Sequence, residues 1–125
     1  MTTVLVVEDE ADLRFLARMT LDRAGFDVIE AGTGADAVAV LESSDTADVD
    51  VVMLDLRIPP PDGWEVLAWI HETGLNTRMR VVIVSAFVDP GTAARAASMG
   101  CRYLAKPFRG DDLVALIRGD DLPGT

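Results

Sequence analysis

The sequence predicts a doubly wound α/β fold: one domain built on a five-stranded parallel sheet with helices on both faces. Three observations predict it. Short β-branched apolar runs alternate along the chain with stretches whose apolar residues recur at helical spacing. Such alternation implies parallel strands joined by right-handed crossovers. One run, Asp50-Val51-Val52-Met53-Leu54-Asp55, leads four uncharged apolar residues directly into a carboxylate, the pattern of a central strand buried on both faces. Acids also close the first run, at Glu8-Asp9-Glu10. Carboxylates therefore gather at the carboxyl edge of the sheet, where open α/β sheets bind ligands.

The elements follow in order. Thr3 to Val7 is a short buried strand. From Ala11 the period changes, and Leu13, Leu16, Ala17, Thr20, Leu21 and Ala24 form the inward face of a helix. Phe15 and Met19 point away from that face, Asp9 or Glu10 caps the helix, and Gly25 ends it. Phe26 to Ala31 is the second strand and Gly32-Thr33-Gly34 a turn. Ala35 to Leu41 is the second helix, with Ala37, Val38 and Leu41 inward, and Ser43 to Asp48 is a polar loop. The third strand ends at Asp55, and Pro59-Pro60-Pro61-Asp62-Gly63 is a stiff loop. Trp64 to Glu72 is a helix that buries Val66, Leu67 and Ile70 and stops at Gly74. Val81 to Ser85 is a buried strand ending in a hydroxyl. Pro90 to Met99 is an alanine-rich helix, loosely held because alanine buries little area. Arg102 to Ala105 is the fifth strand and Asp111 to Arg118 a short last helix.

The chain has 125 residues, enough for one domain with its core at about residues 3–118 and a polar tail at 119–125. Half the residues are hydrophobic, which argues against disorder. Eleven basic against twenty-one acidic residues leave a formal charge of −10, the wrong sign for direct nucleic-acid binding. Cys101 is the single cysteine, so no internal disulfide can form and a reducing compartment is expected. No signal peptide is visible, and no apolar run approaches the roughly 18 residues of a membrane span. The expectation is a cytoplasmic domain without membrane contact, and Met1 directly before the first strand suggests a natural N-terminus.

Alternation brings Glu8, Asp9, Asp55, Ser85 and Lys106 to one edge of the sheet. Each alone is ordinary as a cap or turn residue, and their coincidence carries the information. Two like charges about 5 Å apart repel by roughly 3 kcal/mol at an effective dielectric of about 20. Such a pair raises a pKa or binds a cation. Mg²⁺ suits the second case, because it takes oxygen ligands and keeps positions open for water and phosphate. Lys106 and Ser85 can then bind phosphoryl oxygens, and Asp55 is a carboxylate nucleophile for phosphoryl transfer.

These residues resemble the receiver domains of two-component response regulators, over about residues 3–118. The resemblance is carried by Glu8-Asp9, by Asp55-Leu56-Arg57-Ile58-Pro59 with Asp62-Gly63, by Ser85-Ala86, and by Tyr103-Leu104-Ala105-Lys106-Pro107-Phe108. It implies a flavodoxin-like fold of the receiver type. It implies that Asp55 accepts a phosphoryl group from a histidine kinase or phosphotransfer protein, with Mg²⁺ held by Glu8, Asp9, Asp55 and the backbone carbonyl of Arg57. Ser85 and Lys106 contact the phosphoryl group, Ser85 and Tyr103 form the conformational switch, and the Lys106-Pro107 bond is cis. Arg57 and Phe87 flank the site and are expected to tune hydrolysis. Departures from the pattern are Ser85 where threonine is also common, Pro61 before Asp62-Gly63, and a segment from Gly100 to Lys106 about one residue short. The last helix is short, so a homodimer through it has weak support.

Gly32-Thr33-Gly34-Ala35-Asp36-Ala37 fits a dinucleotide fingerprint but follows the second strand instead of opening the first βαβ unit. His71, near a helix end, reads as a surface residue, Trp64 and Trp69 as packing, and Cys101 as a small core or loop residue. Tyr103 reads equally as packing. Two other functions compete with a non-enzymatic signalling module whose output goes to a protein partner. A Mg²⁺-dependent aspartyl-phosphate phosphohydrolase usually carries a second Asp two residues after its nucleophile, where this chain has Arg57. A receiver-like binding module independent of phosphorylation has no need of the acids, Asp55 and Lys106 together.

Overall fold

The computed structural model describes residues 2–43, 49–86 and 89–119. The predicted loop at 44–48, Phe87 and the tail from residue 120 lie outside the described residues. Strands β1 (Thr3–Val7), β2 (Asp27–Ala31), β3 (Val51–Leu54), β4 (Arg80–Ser85) and β5 (Arg102–Ala105) alternate with helices α1 (Ala11–Arg23), α2 (Gly34–Glu42), α3 (Gly63–Glu72), α4 (Pro90–Ser98) and α5 (Gly110–Arg118). The strands are all parallel, in the order β2-β1-β3-β4-β5. The shortened segment before Lys106 leaves β5 in register with β4, Ser85 opposite Ala105.

Side chains alternate across each strand, so every central strand supplies two cores. Leu5, Val7, Val52, Leu54 and Ile83 pack with α2, α3 and Ala96 of α4. Val4, Val6, Val51, Met53 and Val84 pack with Ala17 and Leu21 of α1 and with Leu113, Leu116 and Ile117 of α5. Cys101 belongs to the first core, and Trp64 and Trp69 pack against it as expected.

Helix starts follow the local chemistry. Thr33 caps α2, Asp62 and Glu65 form a reciprocal capping box on α3, and Asp89 caps α4 ahead of Pro90. α1 differs from expectation: Glu10 holds the cap position, yet no side chain caps the helix. A second difference concerns Leu16, read as inward but 53% exposed. Ala17 and Leu21, one turn apart, form the fully buried stripe of α1. Leu16 is rotated about 100° from Ala17, which turns it to the flank of the helix. Phe15 is exposed as predicted, whereas Met19 is partly buried. A 3₁₀ turn at Leu75–Thr77, not signalled by the sequence, links α3 to β4.

Candidate functional site

The carboxyl edge of the sheet assembles the predicted residues by extending its own hydrogen bonding. Glu8 N–H donates to the Ala31 carbonyl, Asp55 N–H to the Val7 carbonyl and Lys106 N–H to the Ser85 carbonyl. Each of these three residues thus stands one step past its strand, still held by the neighbouring strand. Parity does the rest. Glu8 continues the Val4-Val6 series, Asp55 the Val51-Met53 series, and Lys106 follows Leu104, so all three share the α1/α5 side.

Their side chains meet. Lys106 Nζ donates to Asp55 Oδ2 at 2.8 Å and also to Glu8 Oε1. Asp55 Oδ1 accepts the Arg57 N–H at 2.9 Å, and Glu8 Oε2 accepts the Glu10 N–H at 3.4 Å. Glu8 and Asp55 are nearly shut off from solvent, while Asp9 is exposed at the rim. Oxygens of Glu8, Asp9 and Asp55 all lie within 4.8 Å of one another. A cleft of about 540 Å³ opens beside them, lined by Asp9, Asp55 and Lys106 and by the apolar Leu13, Leu16 and Phe108. The exposed Leu16 is therefore part of the site's wall.

Burial, with Asp55 close by, pushes the Glu8 carboxyl from 4.5 up to about 7, against the pull of Lys106. Burial would raise Asp55 too, but hydrogen bonds from Lys106 and from the Arg57 N–H outweigh it and hold Asp55 below its ordinary value. For Lys106, burial opposes the charge, and the bonds to Asp55 and Glu8 outweigh it, raising the ammonium. One largely buried cation thus serves two carboxylates, and the site keeps an excess of negative charge.

Ser85 ends β4 with opposite parity. It is fully buried, and its hydroxyl has no hydrogen-bond partner among the described residues. An orphaned buried hydroxyl costs about 1–3 kcal/mol, a cost that a ligand oxygen would offset. The donor set of clustered carboxylates with no sulfur or imidazole suits a hard cation such as Mg²⁺. The residues fit the expected ion.

The Lys106-Pro107 bond is cis, as expected, and so is Pro60-Pro61, which was not foreseen. Tyr103 lies on β5 and is 40% exposed. Gly63 has a role that its position after Asp62 only hinted at. A Cβ there would lie 2.5 Å from the Asp55 carbonyl oxygen and 2.5 Å from Leu56 Cα. Only glycine lets the first turn of α3 lie against the backbone that carries Asp55. The Gly63 N–H donates to the Leu56 carbonyl across that contact.

A family profile described as the response regulator receiver domain matches residues 4–118. The transcriptional regulatory protein KdpE of Mycobacterium tuberculosis is 36% identical over 119 residues, covering 94% of this chain and 50% of the relative. ResD of Bacillus subtilis, also a transcriptional regulatory protein, is 33% identical over 119 residues, covering 94% of this chain and 47% of its own. A response regulator receiver protein from Sinorhizobium medicae has a solved structure that matches with 34% identity and a TM-score of 0.78, covering 94% of this chain and 92% of that one. The chain spans about half the length of the curated relatives it matches.

Proposed function

Because the chain belongs to the response regulator receiver domains, the phosphoacceptor modules of two-component systems, we propose that Asp55 is its phosphoacceptor. The observation that carries this reading is the convergence of Glu8, Asp9, Asp55 and Lys106 beside the unpartnered hydroxyl of Ser85. The carboxylates of Glu8, Asp9 and Asp55, with the backbone carbonyl of Arg57, hold Mg²⁺ in this proposal. The ion, when bound, neutralises charge on the phosphoryl oxygens as it spreads in the transition state.

The chain's own residues do the rest. A carboxylate oxygen of Asp55, kept ionised by Lys106 and the Arg57 N–H, attacks phosphorus of a phosphohistidine on a histidine kinase or phosphotransfer protein. The P–N bond breaks and its electron pair stays on the histidine nitrogen. Lys106 and the Ser85 hydroxyl donate to the transferred oxygens, in place of solvent that burial excludes. Drawing Ser85 toward the new group leaves space on its side of β4, and Tyr103, on neighbouring β5, follows in this proposal as the second switch residue. Hydrolysis of the acyl phosphate by water returns the resting state.

The reading is of a signalling module, not a turnover enzyme. Arg57, two residues after Asp55, is not the acid a phosphohydrolase of this type uses. Output passes to a protein partner, and the charge of −10 argues against direct nucleic-acid contact by these residues. A homodimer through α5 would have only a helix of nine residues to pack on. A cytoplasmic location agrees with the single cysteine and with the absence, among the described residues, of a helix long and apolar enough to cross a membrane.

The test is intact mass after incubation with acetyl phosphate and Mg²⁺. Wild type should gain one phosphoryl adduct of about 80 Da, removable by hydroxylamine, and Asp55→Asn should gain none. An adduct of equal yield on Asp55→Asn would refute the assignment.

A further inference from the structure

Glu8 is held from more directions than metal binding requires. Its N–H bonds Ala31, its side chain meets Lys106 and the Glu10 N–H, and its carbonyl accepts a hydrogen bond from Arg14 Nη1 at 2.7 Å. Arg14 stands on α1, less than one turn past the helix start, and its side chain is 23% exposed. The same guanidinium pairs with Glu30 of β2 at 3.4 Å. Glu30 is shared with Arg18 at 2.6 Å, and Arg18 also pairs with Asp22 at 3.5 Å. Gly32 makes room for this arrangement, because a Cβ there would come within 3.2 Å of Arg14 Nη1. Part of the glycine pattern that mimics a dinucleotide fingerprint is thus a berth for an arginine.

We infer that Arg14 is a positioning residue for the cation site: it pins the turn on which Glu8 and Asp9 are presented. The inference rests on the Mg²⁺ site proposed above. The turn needs such a pin. Three carboxylates converge within 4.8 Å, and their repulsion favours opening the turn from buried Glu8 to exposed Asp9, which no side-chain cap fastens to α1. Arg14 ties the carbonyl between those two acids to β2 through Glu30, and so joins the turn to the sheet. Its contribution is geometric rather than electrostatic. Arg14, Arg18, Glu30 and Asp22 form a set with two charges of each sign, so little net positive charge remains to compete with an incoming cation.

Outer partners of this kind typically change metal affinity about 10–100-fold when removed. Mg²⁺ titrated calorimetrically into Arg14→Met should bind about tenfold more weakly than into wild type, with Arg14→Lys in between. The Mg²⁺ concentration for half-maximal phosphorylation by acetyl phosphate should rise by the same factor, while the rate at saturating Mg²⁺ changes little. Arg18→Met, which disturbs Glu30 but not the Glu8 carbonyl, should stay within about twofold of wild type. Glu30→Gln, which keeps a side chain of the same size, should weaken Mg²⁺ less than Arg14→Met, and it serves as the second variant if Arg14→Met folds poorly. Equal Mg²⁺ affinity in wild type, Arg14→Met and Glu30→Gln would overturn the positioning role and leave the site assignment intact. A wild type that binds no Mg²⁺ would overturn both. A saturated rate that falls in Arg14→Met with unchanged Mg²⁺ dependence would also overturn the inference.

Discussion

At the scale of single residues the site is defined by an imbalance: Lys106 is one largely buried cation between two buried carboxylates. Removing one partner of a buried ion pair typically costs about 3–5 kcal/mol, because the charge left behind has neither water nor a counterion. Lys106→Met should therefore destabilise the metal-free chain by about 3 kcal/mol. The same substitution takes a positive charge from beside the proposed cation site, so Mg²⁺ should bind it more tightly and recover much of the lost stability. Urea denaturation with and without Mg²⁺ checks both parts. A variant as stable as wild type without Mg²⁺ would show that Lys106 contributes nothing to holding Glu8 and Asp55 together. Ser85 shows the complementary case, a hydroxyl kept in the core with no partner among the described residues. Polar groups left in that condition mark places where function outweighs stability.

At the scale of elements, the helices differ in how firmly they are held. α3 has a capping box and buries Gly63, Val66, Leu67 and Ile70, whereas α4 buries Ala96 alone. Besides Ala96, α4 is fastened by Arg95, whose guanidinium lies 4.0 Å from the centre of the Trp64 ring on α3. Elements with few buried apolar contacts open most readily, so α4 is the part of the frame best able to move beside Ser85. α3, by contrast, is the buttress of the Asp55 loop through Gly63. Gly63→Ala would force its methyl against backbone at 2.5 Å, where no side chain can swing aside. The expected result is a loss of about 1–3 kcal/mol in stability, the usual range for overpacking, together with a fall in phosphoryl uptake. Thermal unfolding and the intact-mass assay measure the two effects. Normal stability and normal uptake in Gly63→Ala would mean that the approach of α3 to Asp55 is unimportant.

At the scale of the whole molecule, the buried carboxylates tie stability to pH and, through the proposed Mg²⁺ site, to cation. The Glu8 carboxyl is raised from 4.5 to about 7, first by burial. A raised carboxyl contributes stability that is present below its unfolded value and lost as pH climbs through the folded one. Glu8 therefore lowers metal-free stability progressively from about pH 4.5 to about pH 7. Asp55, shifted the other way, contributes stability above its ordinary value and loses it as acid protonates the folded form. In the proposed site protons and Mg²⁺ compete for the oxygens of Glu8, so the stabilisation by Mg²⁺ should be larger at about pH 8 than at about pH 6. At a hundredfold excess over its dissociation constant the ion would add about 2.7 kcal/mol. Thermal scans at both pH values with and without Mg²⁺ test this. A Mg²⁺ increment that is equal at the two, or larger in acid, would contradict the raised Glu8. Phosphorylation acts on the same scale. To move a two-state equilibrium from about 1:99 to 99:1 it must favour one state by about 5.5 kcal/mol, a large share of what a domain of this size has to spend.

The sequence by itself determined the fold class, the order of the elements and the identity of the acids, hydroxyl and amine at the carboxyl edge. These are legible because periods of two and 3.6 residues, and breaks at glycine and proline, are local properties of the chain. An acid ending a strand is ordinary alone, and Asp55 could be singled out because its uncharged run, Val51 to Leu54, reads as a central strand and Glu8, Asp9, Ser85 and Lys106 fall at the same edge. Only the tertiary structure decided what those side chains touch. Lys106 bridging Glu8 and Asp55 spans 98 and 51 positions of sequence. Arg14 reaching the Glu8 carbonyl requires a helix laid across β1 and β2 at one rotation. That same rotation put Leu16 on the wall of the cleft, where the helical period alone had assigned it to the core. Gly32 and Gly63 read in sequence as turn-formers, yet their use is empty space beside Arg14 and beside the Asp55 backbone. Periodicity reports which face of an element is apolar. It carries no information on the distance between elements, and the chemistry of this site depends on that distance.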